Sequence, residues 1–165
     1  MQRSIIPVVV TRQYRSDNAG QGGFGPGTFF GYDWFVVDTG SMLELILPGN
    51  YQTQFAVQPD GTFIDTLDPL FTGAVFTKNG DGTYTLTTGG QWKYSFDTNK
   101  LLIGITDPNN NTLTLLRQND TDVTSAVTPE GQTVGFTVHL LGRDRYTQIT
   151  APDGSVHYVR VCRQL

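Results

Sequence analysis

Thr83-Tyr84-Thr85-Leu86-Thr87-Thr88-Gly89-Gly90-Gln91-Trp92-Lys93-Tyr94-Ser95-Phe96 is the stretch that decides the fold. Tyr84 and Leu86 alternate with threonines, which puts both on one face of an extended chain. Gly89-Gly90 then turns the backbone. Trp92, Tyr94 and Phe96 alternate in the same way on the returning strand. Two period-two segments joined by glycines predict a β-hairpin with one face buried and one wet.

The same grammar runs outward in both directions. Thr133 to Leu140 places Val134, Phe136, Val138 and Leu140 on one side and Thr133, Gly135, Thr137 and His139 on the other. Pro59-Asp60-Gly61, Asn79-Gly80-Asp81-Gly82 and Pro152-Asp153-Gly154 supply the positive-φ positions that tight turns need. Ser4 to Arg15 reads as a long strand, followed by a glycine-rich loop from Ala19 to Gly27. Thr28 to Val37 is an aromatic-rich strand segment. No stretch of 3.6-residue period stands out. Composition agrees: the chain holds 23 threonines but only 5 Ala, 2 Glu and 3 Lys. Those three helix-forming types are too scarce to build the exposed faces of a helical bundle. The expected fold class is all-β, made of antiparallel hairpin repeats in an open, curved sheet.

At 165 residues one core is expected. Eleven basic residues against 15 acidic ones give a formal charge of −4. That balance is poorly suited to a phosphate backbone, so no nucleic-acid partner is expected. No apolar run approaches the roughly 20 residues of a membrane helix, so no membrane span is expected. The start, Met1 to Val10, is broken by Pro7 and does not read as a signal peptide. Cys162 is the only cysteine, which excludes an intramolecular disulfide.

An internal repeat is visible. Ile105-Thr106-Asp107-Pro108-Asn109-Asn110 recurs as Val127-Thr128-Pro129-Glu130-Gly131 and as Ile149-Thr150-Ala151-Pro152-Asp153-Gly154. Pro108, Pro129 and Pro152 mark the turns of successive units. A unit near 20 residues cannot bury a face alone and stacks on its neighbours. The last unit runs into Leu165 without a polar cap, so the array reads as cut off there.

Ile105 to Leu115 resembles the core of a YD repeat, the unit of the rearrangement-hotspot (Rhs) proteins. Leu141-Gly142-Arg143 followed by Ile149 to Gly154 is similar to the order in that family. Phe24-Gly25-Pro26-Gly27 with Tyr32-Asp33-Trp34 resembles the domain that opens the Rhs shell. The Tyr-Asp pair that names the repeat is replaced by Phe96-Asp97 before the first Pro turn. The resemblance divides the chain into an opening shell domain over 1–72 and degenerate repeats over 73–165, as one continuous unit. It implies a non-catalytic wall segment of a β-shell around a toxin, secreted or effector-delivered. Its partners would be the rest of such a shell or the toxin cargo. Gly23, Gly25, Pro26 and Gly27 would shape the opening loop. An open sheet edge also predicts edge-strand self-association.

Searches for catalytic patterns return turn chemistry instead. Gly20 to Gly25 spells G-x-G-x-x-G, but Pro26-Gly27 and an aromatic strand follow where a helix is needed. A calcium loop starting at Asn79 would need an acid at position 90, which is Gly90. His139, His157 and Cys162 do not form a zinc spacing. Asp60, Asp81, Asp107 and Asp153 lie in turns, and no Ser sits in a nucleophile elbow. No cofactor, metal or catalytic residue is expected. The alternative reading is a carbohydrate- or protein-binding module, with Trp34 and Trp92 as exposed aromatics. Against it, Phe29, Phe30, Tyr32, Trp34 and Phe35 read more simply as core.

Overall fold

A computed structural model describes residues 6–14, 21–22, 25–26, 28–65, 67–118, 122–141 and 144–161. In chain order the strands are β1 Arg12–Tyr14, β2 Gln21–Gly22, β3 Gly25–Pro26, β4 Thr28–Phe30, β5 Phe35–Asp38 and β6 Met42–Leu47. There follow β7 Tyr51–Val57, β8 Phe63–Ile64, β9 Val75–Lys78, β10 Tyr84–Thr87, β11 Lys93–Phe96 and β12 Leu102–Thr106. The last five are β13 Thr112–Gln118, β14 Asp122–Val127, β15 Thr133–Leu141, β16 Asp144–Thr150 and β17 Val156–Val161. A single 3-10 turn, Pro69–Phe71, is the only helical element among the described residues. The expected all-β architecture is what the molecule shows.

Strands β5 to β17 form one 13-stranded open sheet in which every strand pairs antiparallel with its neighbour in sequence. The sheet crosses residue 72 without a break, because β8 pairs with β9. Two small ladders, β1 with β4 and β2 with β3, stand apart from it.

The long strand expected over Ser4 to Arg15 is reduced to β1 among the described residues. Pro7 has no N–H to give a ladder. The Val9 N–H instead donates to the Tyr32 hydroxyl at 2.9 Å. The aromatic segment 28–37 is likewise divided. A turn at Gly31-Tyr32 sends the Asp33 N–H back to the Phe30 carbonyl, separating β4 from β5.

Seven of the hairpins repeat one geometry. In the loops 58–62, 79–83, 88–92, 97–101, 107–111, 128–132 and 151–155, the first residue's N–H donates to the fifth carbonyl. The fourth N–H donates back to the first carbonyl. The fourth residue lies at φ between +62° and +85° in all seven. This is a type I turn closed by a left-handed residue, a common three-residue hairpin loop. Aspartates complete it. Asp60, Asp81 and Asp153 accept the amide two residues on, from Thr62, Thr83 and Ser155. The hydroxyls of Thr62, Thr83 and Ser155, and then these amides, hold all three carboxyls below the usual carboxylate range.

One face of the sheet is dry. Leu43, Leu45, Phe55, Phe76, Leu86, Phe96 and Leu102 are fully buried, and their neighbours in each strand point the other way. Phe76 packs on Phe55 at 4.9 Å and on Phe96 at 5.6 Å between ring centroids. Truncating such a phenylalanine to alanine costs about 3–5 kcal/mol.

The sheet covers this face with itself. β5 and β12 are seven positions apart in the strand order. Laid flat, they would be about 34 Å apart. Yet the Val36 N–H donates to the Lys100 carbonyl at 2.9 Å, and the Leu102 N–H to the Trp34 carbonyl at 3.1 Å. The stretch β5 to β12 is therefore curled until its first edge touches its eighth strand. The contact is one bridged pair, Phe35 with Leu101, not a ladder, so the sheet stays open.

The residues just before β5 cover the strands that follow. Phe30 packs on Phe136 of β15 at 4.9 Å, and Trp34 stacks on Tyr94 of β11 at 4.8 Å. Arg117 ties both layers: its Nε donates to the Leu102 carbonyl and its Nη2 to the Tyr32 carbonyl.

Two substitutions test the loop geometry. Gln91 and Gly82 occupy the same loop position at φ +62° and +84°. A left-handed residue with a Cβ costs about 1 kcal/mol. Gln91→Gly is expected to raise the melting temperature by roughly 1–4 °C, and Gly82→Ala to lower it by a similar amount. Shifts of the same sign in thermal melts of the two variants would contradict the assignment.

Candidate functional site

The residues singled out in the sequence fall into three groups. Pro108, Pro129 and Pro152 each occupy the second position of a five-residue loop, as does Pro59. Proline's fixed φ suits that position of a type I turn. Gly25 and Pro26 form β3 and pair with Gly22 and Gln21. Gly23 and Gly27 lie outside the described residues, as does Cys162.

The two tryptophans differ. Trp34 is half-buried, with one face on Tyr94 and its indole N–H donating to the Gly31 carbonyl at 3.0 Å. Trp92 ends the loop 88–92 and is 36% exposed. The strand face expected to begin at Trp92 therefore begins at Tyr94, with Phe96 fully buried. Of the aromatic segment, Phe30 and Tyr32 belong to the core, and Phe35 is exposed.

Trp34 contributes its free side to an open groove of about 870 Å³. Gln13, Asn50, Tyr51 and Gln52 line it with amides and a phenol, and Leu70 and Phe71 form an apolar wall. Tyr51 separates this groove from a smaller one of about 450 Å³ that reaches Glu44, Asp65 and Asp68. The Tyr51 hydroxyl donates to Asp68 Oδ2 at 2.5 Å. The Thr53 hydroxyl donates to Asp65, whose other oxygen accepts the Leu67 and Asp68 amides. Burial pushes the Asp65 carboxyl up, but these bonds outweigh it and hold it below its ordinary value. The loop carrying these groups presents Leu67 and Leu70, 86% and 77% exposed, to solvent.

The sheet's two edges are unlike. β5 is sealed at its start by the bridge to residues 100–102. At its end Asp38 is held from inside the curl. The Tyr84 hydroxyl donates to Asp38 Oδ2 at 2.6 Å and the Lys78 ammonium at 2.9 Å, and Gly40 gives its amide to Oδ1. The Asp38 side chain is 10% exposed and that of Lys78 is 52% exposed, so solvent screens the ion pair from the lysine side. At the opposite edge, β17 pairs with β16 alone among the described residues. Val156 and Tyr158 stand on its outer face, 41% and 63% exposed. His139, Tyr146 and Tyr158 form an aromatic row across β15, β16 and β17 on that face, His139 stacked on Tyr146 and Tyr146 edge-to-face with Tyr158.

Among the described residues, no group of three or more His, Cys, Asp or Glu side chains is placed to hold a metal ion. No described helix is long and apolar enough to cross a membrane.

Sequence reasoning missed the Asp38–Lys78–Tyr84 cluster. Its members are 40 and 46 residues apart, and only the curl brings them together. The turn read at Gly89-Gly90 is present as the loop 88–92, with Gln91 as its left-handed residue, but the loop at 97–101, with Lys100 in that position, was missed. Asp97 was the available signal for that loop, since it accepts the Leu101 amide as Asp107 accepts that of Asn111.

Comparison with protein-family models finds no match, and comparison with curated proteins finds no significant one.

Asp38 gives a pH test. The Tyr84 hydroxyl, then the Lys78 ammonium, lower its carboxyl from 3.8 to about 2. A carboxyl with a depressed native pKa stabilises above its unfolded value and loses that contribution as pH falls to the native one. The wild type is therefore expected to lose part of its stability between about pH 4 and pH 2. Asp38→Asn should melt lower at pH 7 and show a shallower decline over that window. An unchanged acid limb in thermal melts would show that Asp38 carries no latch.

Proposed function

We propose that this chain is a non-catalytic structural protein, the opening segment of a β-shell of the Rhs type. The observation that carries the reading is the asymmetry of the sheet's two edges. β5 is closed by backbone bonds to residues 100–102, whereas β17 offers its outer backbone to a further strand. An array sealed at one end and extendable at the other is what the first segment of a repeat wall requires. The uniform hairpins support the same reading, because each loop returns the chain to add one more antiparallel strand. The polar, threonine-rich face lies on the outside of the curl, and the inside of β5 to β12 is filled by core. A lumen would therefore begin beyond this segment, and the cargo would meet strands that continue from β17.

A second reading is supported by the groove beside Trp34. An aromatic wall with amide side chains suits a sugar or an extended peptide. In that case the chain works alone as a binding module.

One experiment separates the two. Lysine on an edge strand discourages pairing. Size-exclusion chromatography with light scattering, run at rising concentration, is expected to show mass growing above 18.2 kDa for the wild type. Val156→Lys should hold the mass at the monomer. A wild type that stays monomeric at every concentration, with the variant indistinguishable from it, would remove the wall reading and favour the binding module.

A further inference from the structure

Two aromatic rings are pinned in place around the larger groove before any ligand arrives. The Trp34 indole is held on one face by Tyr94, nearly parallel at 4.8 Å, and at its N–H by the Gly31 carbonyl at 3.0 Å. The Tyr51 phenol, 44% exposed, is held at its hydroxyl by Asp68. Rings fixed in this way lose little entropy when something binds to them. At about 870 Å³ the groove lies toward the upper end of the range for ligand clefts, about 300–1,000 Å³.

Among the described residues its lining carries no carboxylate, ammonium, guanidinium or imidazole. Its polar groups are the carboxamides of Gln13, Asn50 and Gln52 and the hydroxyls of Thr11 and Tyr51. A carboxamide both donates and accepts. Such a set cannot neutralise a charged ligand, and it matches groups that also donate and accept, above all hydroxyls. Gln52 Nε2 comes to 3.5 Å of Asn50 Oδ1, so two of the three carboxamides share one wall at the tip of the β6–β7 hairpin.

Beyond Tyr51 the character changes. The smaller groove is bordered by Glu44, Asp65 and Asp68. Two of these carboxylates are engaged by the loop itself. Asp65 takes the Leu67 and Asp68 amides and the Thr53 hydroxyl, and Asp68 takes the Leu70 amide and the Tyr51 hydroxyl. A chain that passes Tyr51 meets neutral groups on one side and negative ones on the other, and an acidic chain is repelled. An extended peptide gains affinity by adding its main chain to a free strand edge. The hairpin tip offers none, because Leu47 and Tyr51 pair with each other.

We propose, resting on the binding-module reading, that the groove binds a neutral polysaccharide of the extended, equatorially linked kind. One sugar ring lies on the free side of Trp34, and its hydroxyls bond the carboxamides of Gln13, Asn50 and Gln52. The flat faces of such rings carry C–H groups, which suit the negative face of an indole.

The test is isothermal titration calorimetry of the full chain with cellohexaose. An oligogalacturonate hexamer serves as the acidic probe, and a capped hexapeptide of alternating Thr and Gln as the peptide probe. Trp92→Phe removes the tryptophan outside the groove, so Trp34 fluorescence then locates the binding. Cellohexaose is expected to bind saturably, to change the Trp34 emission, and to bind roughly tenfold tighter than the acidic hexamer. Asn50 sits at φ +60°, where glycine fits without strain, so Asn50→Gly removes a carboxamide and keeps the fold. That variant should bind cellohexaose about fivefold more weakly, the worth of one hydrogen bond. Cellohexaose binding that leaves Trp34 emission or the Asn50→Gly affinity unchanged, or that the acidic hexamer equals, would overturn the proposal. A response to the peptide alone would overturn it too, while keeping the groove as a binding site. No response to any of the three probes would remove both the proposal and the binding-module reading.

Discussion

A single sheet with one apolar face has nothing to lay that face against except itself and the chain that leads into it. Every larger feature of this molecule answers that constraint. Strands β5 to β12 curl until Phe35 meets Leu101, and the phenylalanines of β7, β9 and β11 then pack on one another inside the bend. The strands beyond β12 would still be bare. Phe30 packs on Phe136 of β15, and the turn that follows it is fastened by the Arg117 bonds to the Leu102 and Tyr32 carbonyls. Arg117 thus joins two coverings that solve one problem.

Four of the seven connections within the curl share one loop geometry. Each of the seven five-residue hairpins carries a left-handed residue at its fourth position, which fits the right-handed twist of the flanking strands. Twist accumulated over eight strands turns a flat ribbon into a bend. The same uniformity separates the two edges. The bend brings β5 back to a neighbour it can bond, whereas β17 lies five strands beyond the point of closure. Edge exposure here follows from where the curl closes, and not from any special feature of β17 itself.

Much of this was legible in the residues. The alternation over 83–96 and 133–140 predicted the strands and the buried face, and Phe96 and Phe136 are indeed core. The aspartates of Asp60, Asp81 and Asp153 were read as turn formers and serve as such. Local patterns fail where a distant contact decides the outcome. Val9 looks like a strand residue, but its N–H goes to Tyr32, 23 residues away. Asp38 looks like an ordinary hairpin acid, and only the curl shows why it faces Lys78 and Tyr84. Thr147 reads as one more exposed strand threonine, yet it is among the few polar residues in the core. The repeat itself was visible only where proline marks it, because Gln91 and Lys100 adopt the left-handed turn position without a compositional signal.

The central claim is that the sheet curls back and bonds to itself. Native-state hydrogen exchange at single-amide resolution tests it most directly, through the amides of Val36 and Leu102. Neither bond lies within a regular ladder, and one of the two belongs to an edge strand. The account predicts that both amides exchange as slowly as those of Leu86 and Leu113 in the middle of the sheet. Exchange of Val36 and Leu102 at the rate of the hairpin loops, with Leu86 and Leu113 still protected, would contradict it.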